Sequence, residues 1–400
     1  MKGSAASGSD HLLGLALALA VVVGIAPWRA DRKLIVVDPE LTCSTQLVRP
    51  LQGYLDNYAR EPFLSSLLEG TLRDGSCIVL LGSSELTSTD HPAKPVNFFN
   101  KELKVPLLAL GHAGNQSLSM HAQLVAANVS LEHARLVILV SPSWFVDKSA
   151  TEGTALAAFL EYQPSPSLYR IQQRIDQGDT LVGPVTRYLA EHRDELGAAQ
   201  PIIRLMTRDA SVVDRARFCF SRPWTRFLVD ETKAQMLRVP VLGGTAQPWA
   251  MPMIAPERWK ELYQAGVQEH LAQCTNNKVF VTDTYYSEYV HGGTRQLDTV
   301  PVILNNEFRD FAGLLNYVKA SKGEPLFILQ PLNPYVYTNL AAVDPTINAI
   351  RRELKAHDFD YLDLWVSDTT DFQPGTLTDV MHLGPLGWYR VDSAITAHFQ

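Results

Sequence analysis

Short runs of consecutive apolar residues recur along this chain, and each closes on glycine, proline or a polar residue. The runs lie at residues 34–37, 77–81, 105–110, 136–140, 326–329 and 361–364, with a weaker one at 279–281. Strands that are apolar along their whole length are typical of a sheet covered on both faces, and such sheets are parallel. The pattern therefore predicts a buried parallel sheet.

Between these runs, the spacing of apolar residues changes to that of helices. Residues 117–127, 307–320 and 347–357 place their apolar positions on one helical face. Strands that alternate with helices predict βαβ units and an α/β fold, with an open, doubly wound sheet and helices on both faces. Residues 150–250 break this alternation. We interpret them as a large, partly helical insertion within a single domain over residues 34–400.

A longer apolar run, at residues 12–28, is uninterrupted by charge. Seventeen helical residues span about 26 Å, close to the thickness of a bilayer core. Because no small-residue cleavage site follows, we predict that residues 1–33 form an uncleaved N-terminal transmembrane anchor and not a signal peptide. Arg29, Arg32 and Lys33 follow the run and only Lys2 precedes it, so the charge bias alone predicts a cytoplasmic C-terminal side.

Composition excludes several classes of function. Apolar residues make up 46% of the 400 residues, which excludes global disorder, and the net charge of −7 argues against nucleic-acid binding. The four cysteines match no metal-binding spacing, and nothing in the chain predicts a metal or a cofactor. Cys77 lies in an apolar run and is predicted to be a buried thiol. A disulfide between Cys219 and Cys274 stays open, because the sequence does not choose among pairings.

Ser84 follows the apolar run at 77–81 and Gly82, on a predicted strand-to-helix turn. A side chain on such a turn lies at the carboxyl edge of the sheet, where open α/β sheets bind ligands. The alternative is that Ser83 and Ser84 only cap the next helix, with Glu85 favouring its N-terminus.

Asp379 and His382 are three residues apart, so in a helical turn they would share one face. The aspartate would then accept a hydrogen bond from the histidine Nδ1, leaving Nε2 to take a proton from a serine. The alternative is a surface aspartate next to a packed histidine. Because one motif follows the first core strand and the other follows the last, we expect both at the same edge of the sheet. Residues 111–115 and 141–145, after the second and third core strands, are candidates for an oxyanion site.

These segments together resemble the DltD family of membrane-anchored D-alanyl transfer proteins. The resemblance rests on GSSEL at 82–86, SPSWF at 141–145 and DVMHLGPLGW at 379–388, with weaker support from NN at 276–277, YY at 285–286 and PLNP at 331–334. It implies a three-layer SGNH-hydrolase-like fold. It also implies that Ser84 is the nucleophile, His382 the general base and acid, Asp379 the residue that orients it, and Gly114 and Ser143 the oxyanion positions. Ser143 departs from the pattern, since many members have glutamine there.

The resemblance further implies transfer of D-alanine to an extracytoplasmic, teichoic-acid-like polymer. The implied partners are a D-alanyl donor, the polymer acceptor, membrane lipid around the anchor, a membrane-bound O-acyltransferase and other D-alanylation proteins. It implies an anchor with its N-terminus inside and its catalytic domain outside, against the charge bias. Two alternatives stay open: an esterase or thioesterase with the same triad, and a non-enzymatic envelope protein that binds polymer or acts as a scaffold. The sequence identifies neither the acceptor polymer nor the immediate acyl donor.

Overall fold

The computed structural model describes residues 64–87, 90–163, 165–199, 201–206, 210–216 and 249–400. The predicted anchor and the predicted strand at 34–37 lie outside these residues. Within the described ranges, none of the helices is both long enough and apolar enough to cross a bilayer.

Among the residues that the structure describes, five parallel strands form one sheet, as the apolar runs predicted. The strands are β1 Ile78–Gly82, β2 Leu107–Gly111, β3 Arg135–Val140, β4 Leu326–Leu329 and β5 Asp360–Asp363, in the order β2-β1-β3-β4-β5. The register pairs Gly82 with Gly111 and Val140 with Leu329. Helices on both faces of the sheet bury β1 and β2, which carry no exposed position, whereas β5 at the opposite edge is partly exposed.

The helices that flank the sheet are numbered in chain order. They are α1 Leu64–Asp74, α2 Ser84–Thr87, α3 Ser117–Ala127, α4 Asp147–Glu152, α5 Leu156–Tyr162, α6 Ser165–Asp176, α7 Gly183–Glu191, α8 Arg193–Ala199, α9 Pro256–Ala272, α10 Asn306–Ala320, α11 Asp344–Ala356 and α12 Pro385–His398. The three helices predicted by periodicity are α3, α10 and α11, and their observed ends differ from the prediction by at most three residues.

Successive side chains of each strand enter different halves of the core. In β1, Val79 and Leu81 belong to the half of the core that contains side chains of α1, α3, α10 and α11, whereas Ile78 and Leu80 belong to the half that contains side chains of α9 and α12. The sheet is therefore covered by helices on both faces, which confirms the α/β class.

The weak apolar run at 279–281 does not form a strand, so that prediction was wrong. Asn277 holds this segment as a loop, because its Nδ2 donates to the carbonyl of Val281. Phe280 adopts a left-handed φ of 53°, which is incompatible with a strand.

The connection from β3 to β4 contains α4–α10, and α5–α8 lie within the predicted insertion at 150–250. The bounds of that insertion remain a prediction. Helix α5 packs over the turn that follows β2, since a Cβ on Gly114 would lie 2.6 Å from the Cβ of Ala158.

The strand order reverses direction at β1, because β2 lies on one side of it and β3 on the other. In open parallel sheets such a reversal leaves a crevice at the carboxyl ends of the strands, where ligands bind. The residues that follow β1, β2 and β3 therefore lie around the crevice at this reversal.

Candidate functional site

Ser84 lies directly beyond the carboxyl end of β1, as the first residue of α2. The ends of β1 and β2 approach closely here, since a Cβ on Gly111 would lie 2.3 Å from the carbonyl oxygen of Gly82. The Ser84 side chain is half-buried and reaches across the crevice to a residue 298 positions away: its Oγ lies 2.9 Å from Nε2 of His382.

The ring of His382 is held on its other side by Asp379, with Nδ1 2.7 Å from Oδ2. An ionised carboxylate only accepts hydrogen bonds, so Nδ1 carries the proton and the neutral ring accepts from the Ser84 hydroxyl through Nε2. Serine, histidine and aspartate thus form one hydrogen-bonded series.

Asp379 and His382 lie on a loop and not on the helical turn that their spacing suggested. A β-bridge between Leu377 and Leu383 closes this loop, and the Thr378 amide donates to the carbonyl of His382 at 2.9 Å. The aspartate reaches the ring because its other oxygen, Oδ1, accepts from the amides of Met381 and His382, both at 2.8 Å. Both carboxylate oxygens are therefore used, and the loop itself fixes the side chain.

Two other segments fasten this loop to the sheet. The Asn333 amide, after β4, donates to the carbonyl of Val380, and the Thr282 amide donates to that of Thr378, both at 3.0 Å. Gly387 makes a close approach possible, since a Cβ there would lie 2.2 Å from the Thr376 carbonyl oxygen.

The pKa of His382 reflects opposing causes. Burial lowers it, but the hydrogen bond and charge of Asp379 and the charge of Glu85 outweigh that effect, and Lys94 opposes them weakly; the pKa is raised overall. A histidine whose protonated form is favoured in this way suits a base that must carry a proton during a reaction.

Gly114 lies in a turn after β2 in which the amide of Asn115 donates to the carbonyl of His112 at 3.0 Å. Its φ of +87° is the left-handed value that such a turn requires and that glycine adopts without strain. Asn115 ties the turn to β1, because its Nδ2 donates to the Gly82 carbonyl at 2.9 Å. Within the described ranges, the Gly114 amide makes no hydrogen bond.

Ser143 lies in a 3₁₀ turn, Pro142–Phe145, after β3. Its hydroxyl hydrogen-bonds that of Ser141 at 2.8 Å. Neither Ser143 nor Gly114 is hydrogen-bonded to Ser84, His382 or Asp379 among the residues that the structure describes. The structure therefore joins three of the five predicted site residues and leaves the other two on adjacent turns.

Sequence reasoning missed two residues of this site. Glu85 was assigned only a favourable effect on a helix N-terminus, but it is buried beside the serine and its charge reaches His382. Asn115 anchors the Gly114 turn. The signal for both was their position, since Glu85 directly follows Ser84 in the turn after β1 and Asn115 directly follows Gly114 in the turn after β2.

The described residues hold no group of three or more metal-ligating side chains. Cys77 and Cys274 are buried, as predicted for Cys77, and neither is in a disulfide with another described residue. Cys219, the other candidate for a disulfide with Cys274, lies outside the described ranges.

The fold and the site define an α/β protein that carries a serine, a histidine and an aspartate in hydrogen-bonding order at the carboxyl edge of a parallel sheet. A family model described as "DltD protein" matches residues 64–400, which cover the sheet and the site together. The chain belongs to the DltD family.

Three relatives share that name and about a fifth of their residues with this chain. Protein DltD of Bacillus subtilis (strain 168) is 21% identical over 346 residues, or 84% of this chain and 85% of its own length. Protein DltD of Lacticaseibacillus rhamnosus is 20% identical over 331 residues, which cover 80% of this chain and 76% of its own length. Protein DltD of Staphylococcus aureus (strain NCTC 8325 / PS 47) is 19% identical over 355 residues, which cover 85% of this chain and 87% of its own length.

Proposed function

We propose that this protein is a membrane-anchored serine acyltransferase that moves D-alanine onto a hydroxyl of an extracytoplasmic, teichoic-acid-like polymer. The observation that carries the proposal is the hydrogen-bonded series from Ser84 through His382 to Asp379, at 2.9 and 2.7 Å. Nucleophile, base and orienting carboxylate in that order are the parts of an acyl-transfer site. Membership in the DltD family supports D-alanine as the acyl group.

In the first step, Ser84 Oγ attacks the carbonyl carbon of an activated D-alanyl donor while His382 Nε2 takes the hydroxyl proton. Asp379 keeps the proton on Nδ1 and stabilises the imidazolium. As the tetrahedral intermediate collapses, the bond to the donor breaks and His382 gives its proton to the leaving group. The product is a D-alanyl ester of Ser84.

In the second step, an acceptor hydroxyl attacks this ester and loses its proton to His382, and Ser84 leaves with a proton returned from the ring. The oxyanion of both steps is assigned to the amides of Ser84 and Gly114. The Ser84 amide opens helix α2 and so has no intrahelical partner. Each such donor contributes about 3–4 kcal/mol in well-studied enzymes. Ser143 would join them without losing its hydrogen bond to Ser141 if Ser141 is the donor in that bond, since the Ser143 hydroxyl proton is then left for the oxyanion.

The remaining parts of the proposal follow the family resemblance. They are the SGNH-hydrolase-like classification of the sheet, the anchor over residues 1–33, the extracytoplasmic position of the catalytic domain and a membrane-bound O-acyltransferase as partner. The strand order and the position of Ser84 after β1 support the first. The proposed chemistry uses no cofactor.

A fluorophosphonate probe tests the nucleophile, because it forms a covalent bond only with an activated serine. We expect labelling of the full-length protein and of Ser83→Ala, and none of Ser84→Ala. Ser83 is the matched control, since it is adjacent, buried and engaged through its Oγ with the His112 carbonyl. Equal labelling of Ser84→Ala, or none of the unmodified protein, would contradict the proposal.

Mass spectrometry of the products separates transfer from hydrolysis. Incubated with a D-alanyl thioester and a polyglycerol phosphate, the transferase forms a D-alanyl ester of the polyol, whereas an esterase or thioesterase releases free D-alanine. In cells, Ser84→Ala at normal protein level should abolish D-alanylation of the polymer. Retained D-alanylation would favour the scaffold alternative.

A further inference from the structure

Glu85 is a buried carboxyl that the mechanism above does not use. It follows Ser84 in the chain, lies in the first turn of α2 and is only 2% exposed. Removing a carboxyl from water is costly unless hydrogen bonds or opposite charges compensate for it. The contacts of this side chain therefore indicate its role.

One contact fixes the turn that presents the nucleophile. Glu85 Oε1 accepts a hydrogen bond from the amide of Ser83 at 2.7 Å. A Cβ on Gly82 would also lie 2.7 Å from this oxygen, so the carboxyl occupies space that a glycine at position 82 leaves open. The end of β1 and the carboxyl thus pack as a unit directly beneath Ser84.

The second relation is electrostatic. The charged groups that face His382 are Asp379, Glu85 and Lys94, and the two acids favour the protonated ring while the lysine opposes it. Lys94 is itself buried and donates from Nζ to the Leu86 carbonyl at 2.8 Å. Burial raises the pKa of Glu85, whereas the Ser83 and Glu85 amides, the charge of His382 and the side chain of Gln330 lower it.

We propose that Glu85 is a positioning residue, which holds the nucleophile turn through the Ser83 amide and presents a second negative charge to His382. The role rests on the acyl-transfer function proposed above. In each chemical step His382 takes a proton and becomes positive, and a nearby carboxylate stabilises that state more than the neutral one. The effect is mutual, because the positive ring in turn lowers the pKa of Glu85 and so opposes the effect of burial on that carboxyl. Glu85 would act through Ser84 and His382, without contacting the substrate.

A helix-capping role alone does not account for this arrangement. Glu85 does cap the turn, since the amide of Ser83, directly before α2, donates to its Oε1. Helix α2 has only four residues, however, so its dipole is small and offsets little of the cost of burying a carboxyl. Glu307 provides the comparison. It is equally buried and accepts from the amide of Ser117 at 3.0 Å, but it is not among the groups that act on His382.

The experiment measures the rate of fluorophosphonate labelling of the full-length protein against pH, for Glu85→Gln and, as the matched control, Glu307→Gln. Glutamine keeps an oxygen for the Ser83 amide and removes the charge. We expect the acidic limb of the profile, where His382 loses its proton, to move to lower pH by about half a unit or more. The plateau rate should fall about fivefold to tenfold.

Glu307→Gln should leave both the limb and the plateau unchanged. A limb that stays in place or moves to higher pH in Glu85→Gln would overturn the proposal. The unmodified protein is measured first. Absence of labelling there would overturn the proposed function and with it the role of Glu85, whereas a failure confined to the Glu85 variants would overturn that role alone. If Glu85→Gln does not fold, Glu85→Asp replaces it. The aspartate keeps the negative charge, so the acidic limb of the pH profile should stay in place, while its shorter side chain should lower the plateau labelling rate. An unaltered plateau rate would overturn the positioning role.

Discussion

Replacement of Asp379 by asparagine perturbs the site in a way that the structure makes specific. Oδ1 of Asp379 accepts two backbone amides, from Met381 and His382. An asparagine must therefore keep its carbonyl oxygen at that position, because its NH₂ group cannot accept. The NH₂ group is then forced into the place of Oδ2, 2.7 Å from Nδ1 of His382.

The consequence is the wrong tautomer. With a donor facing Nδ1, the neutral ring carries its proton on Nε2, and it can no longer take one from Ser84. In Ser-His-Asp enzymes this error lowers kcat by about 10,000-fold, which corresponds to roughly 5.4 kcal/mol of barrier at 25 °C. We expect a loss of labelling rate of that order for Asp379→Asn.

The assay compares the rate of fluorophosphonate labelling of Asp379→Asn with that of Asp360→Asn across pH 5–9. Asp360 is the matched control. It also pairs with a histidine, since its Oδ2 lies 3.1 Å from Nδ1 of His398, but it is exposed and lies at the amino end of β5, at the sheet edge opposite the candidate site. Asp360→Asn should label at the normal rate. A rate for Asp379→Asn within about threefold of the unmodified protein would refute the tautomer argument.

The interaction between Asp379 and His382 should also make the stability of the folded protein depend on pH. Because the pKa of His382 is raised in the folded protein, its interaction with Asp379 contributes fully below the ordinary histidine pKa of about 6.5. That contribution is lost as pH rises through the raised value. Urea denaturation should therefore show a larger destabilisation of Asp379→Asn at pH 5.5 than at pH 8.5.

Three further predictions concern the framework of the site. Gly114→Ala should destabilise the protein by about 1–3 kcal/mol more than Gly178→Ala in urea denaturation, because both have positive φ but only the first meets another side chain. Phe327→Ala should cost about 3–5 kcal/mol in the same assay, whereas Ile303→Ala, at a position 93% exposed, should stay within about 0.5 kcal/mol. Burial raises the pKa of Cys274 to about 12, with a smaller contribution from the charge of Asp283. Iodoacetamide at pH 8 should therefore alkylate this cysteine only after denaturation, and peptide mapping would detect the modification.

Local patterns predicted much of the sheet and its helices. The apolar runs that became β1 to β5 differ from the observed strands by no more than two residues at either end. For β1 to β4 the reason is that a strand buried on both faces leaves an almost unbroken apolar signal, whereas β5 is partly exposed. The weaker run at 279–281 also predicted a strand, and that prediction was wrong. Hydrogen bonding by the Asn277 side chain decides that segment, and a three-residue run does not reveal it.

The residue types of the candidate site could be predicted from the sequence, whereas the geometry that brings them together could be predicted only in part. A serine after a strand and an aspartate three residues before a histidine are visible in the chain. Their spacing suggested a helical turn, yet the observed loop reaches the same hydrogen bond through two backbone amides. Glu85 was visible too, but its burial beside the nucleophile depends on tertiary packing that no local pattern encodes.

The sequence by itself determined the class of elements and the chemical groups available, because hydrophobic periodicity and turn residues act over a few positions. The tertiary structure decided the strand order, the reversal at β1 and the meeting of Ser84 with His382 across 298 positions. Those features depend on which strands pair and in which register. Pairing of that kind is set by packing over the whole core and not by neighbours in the chain.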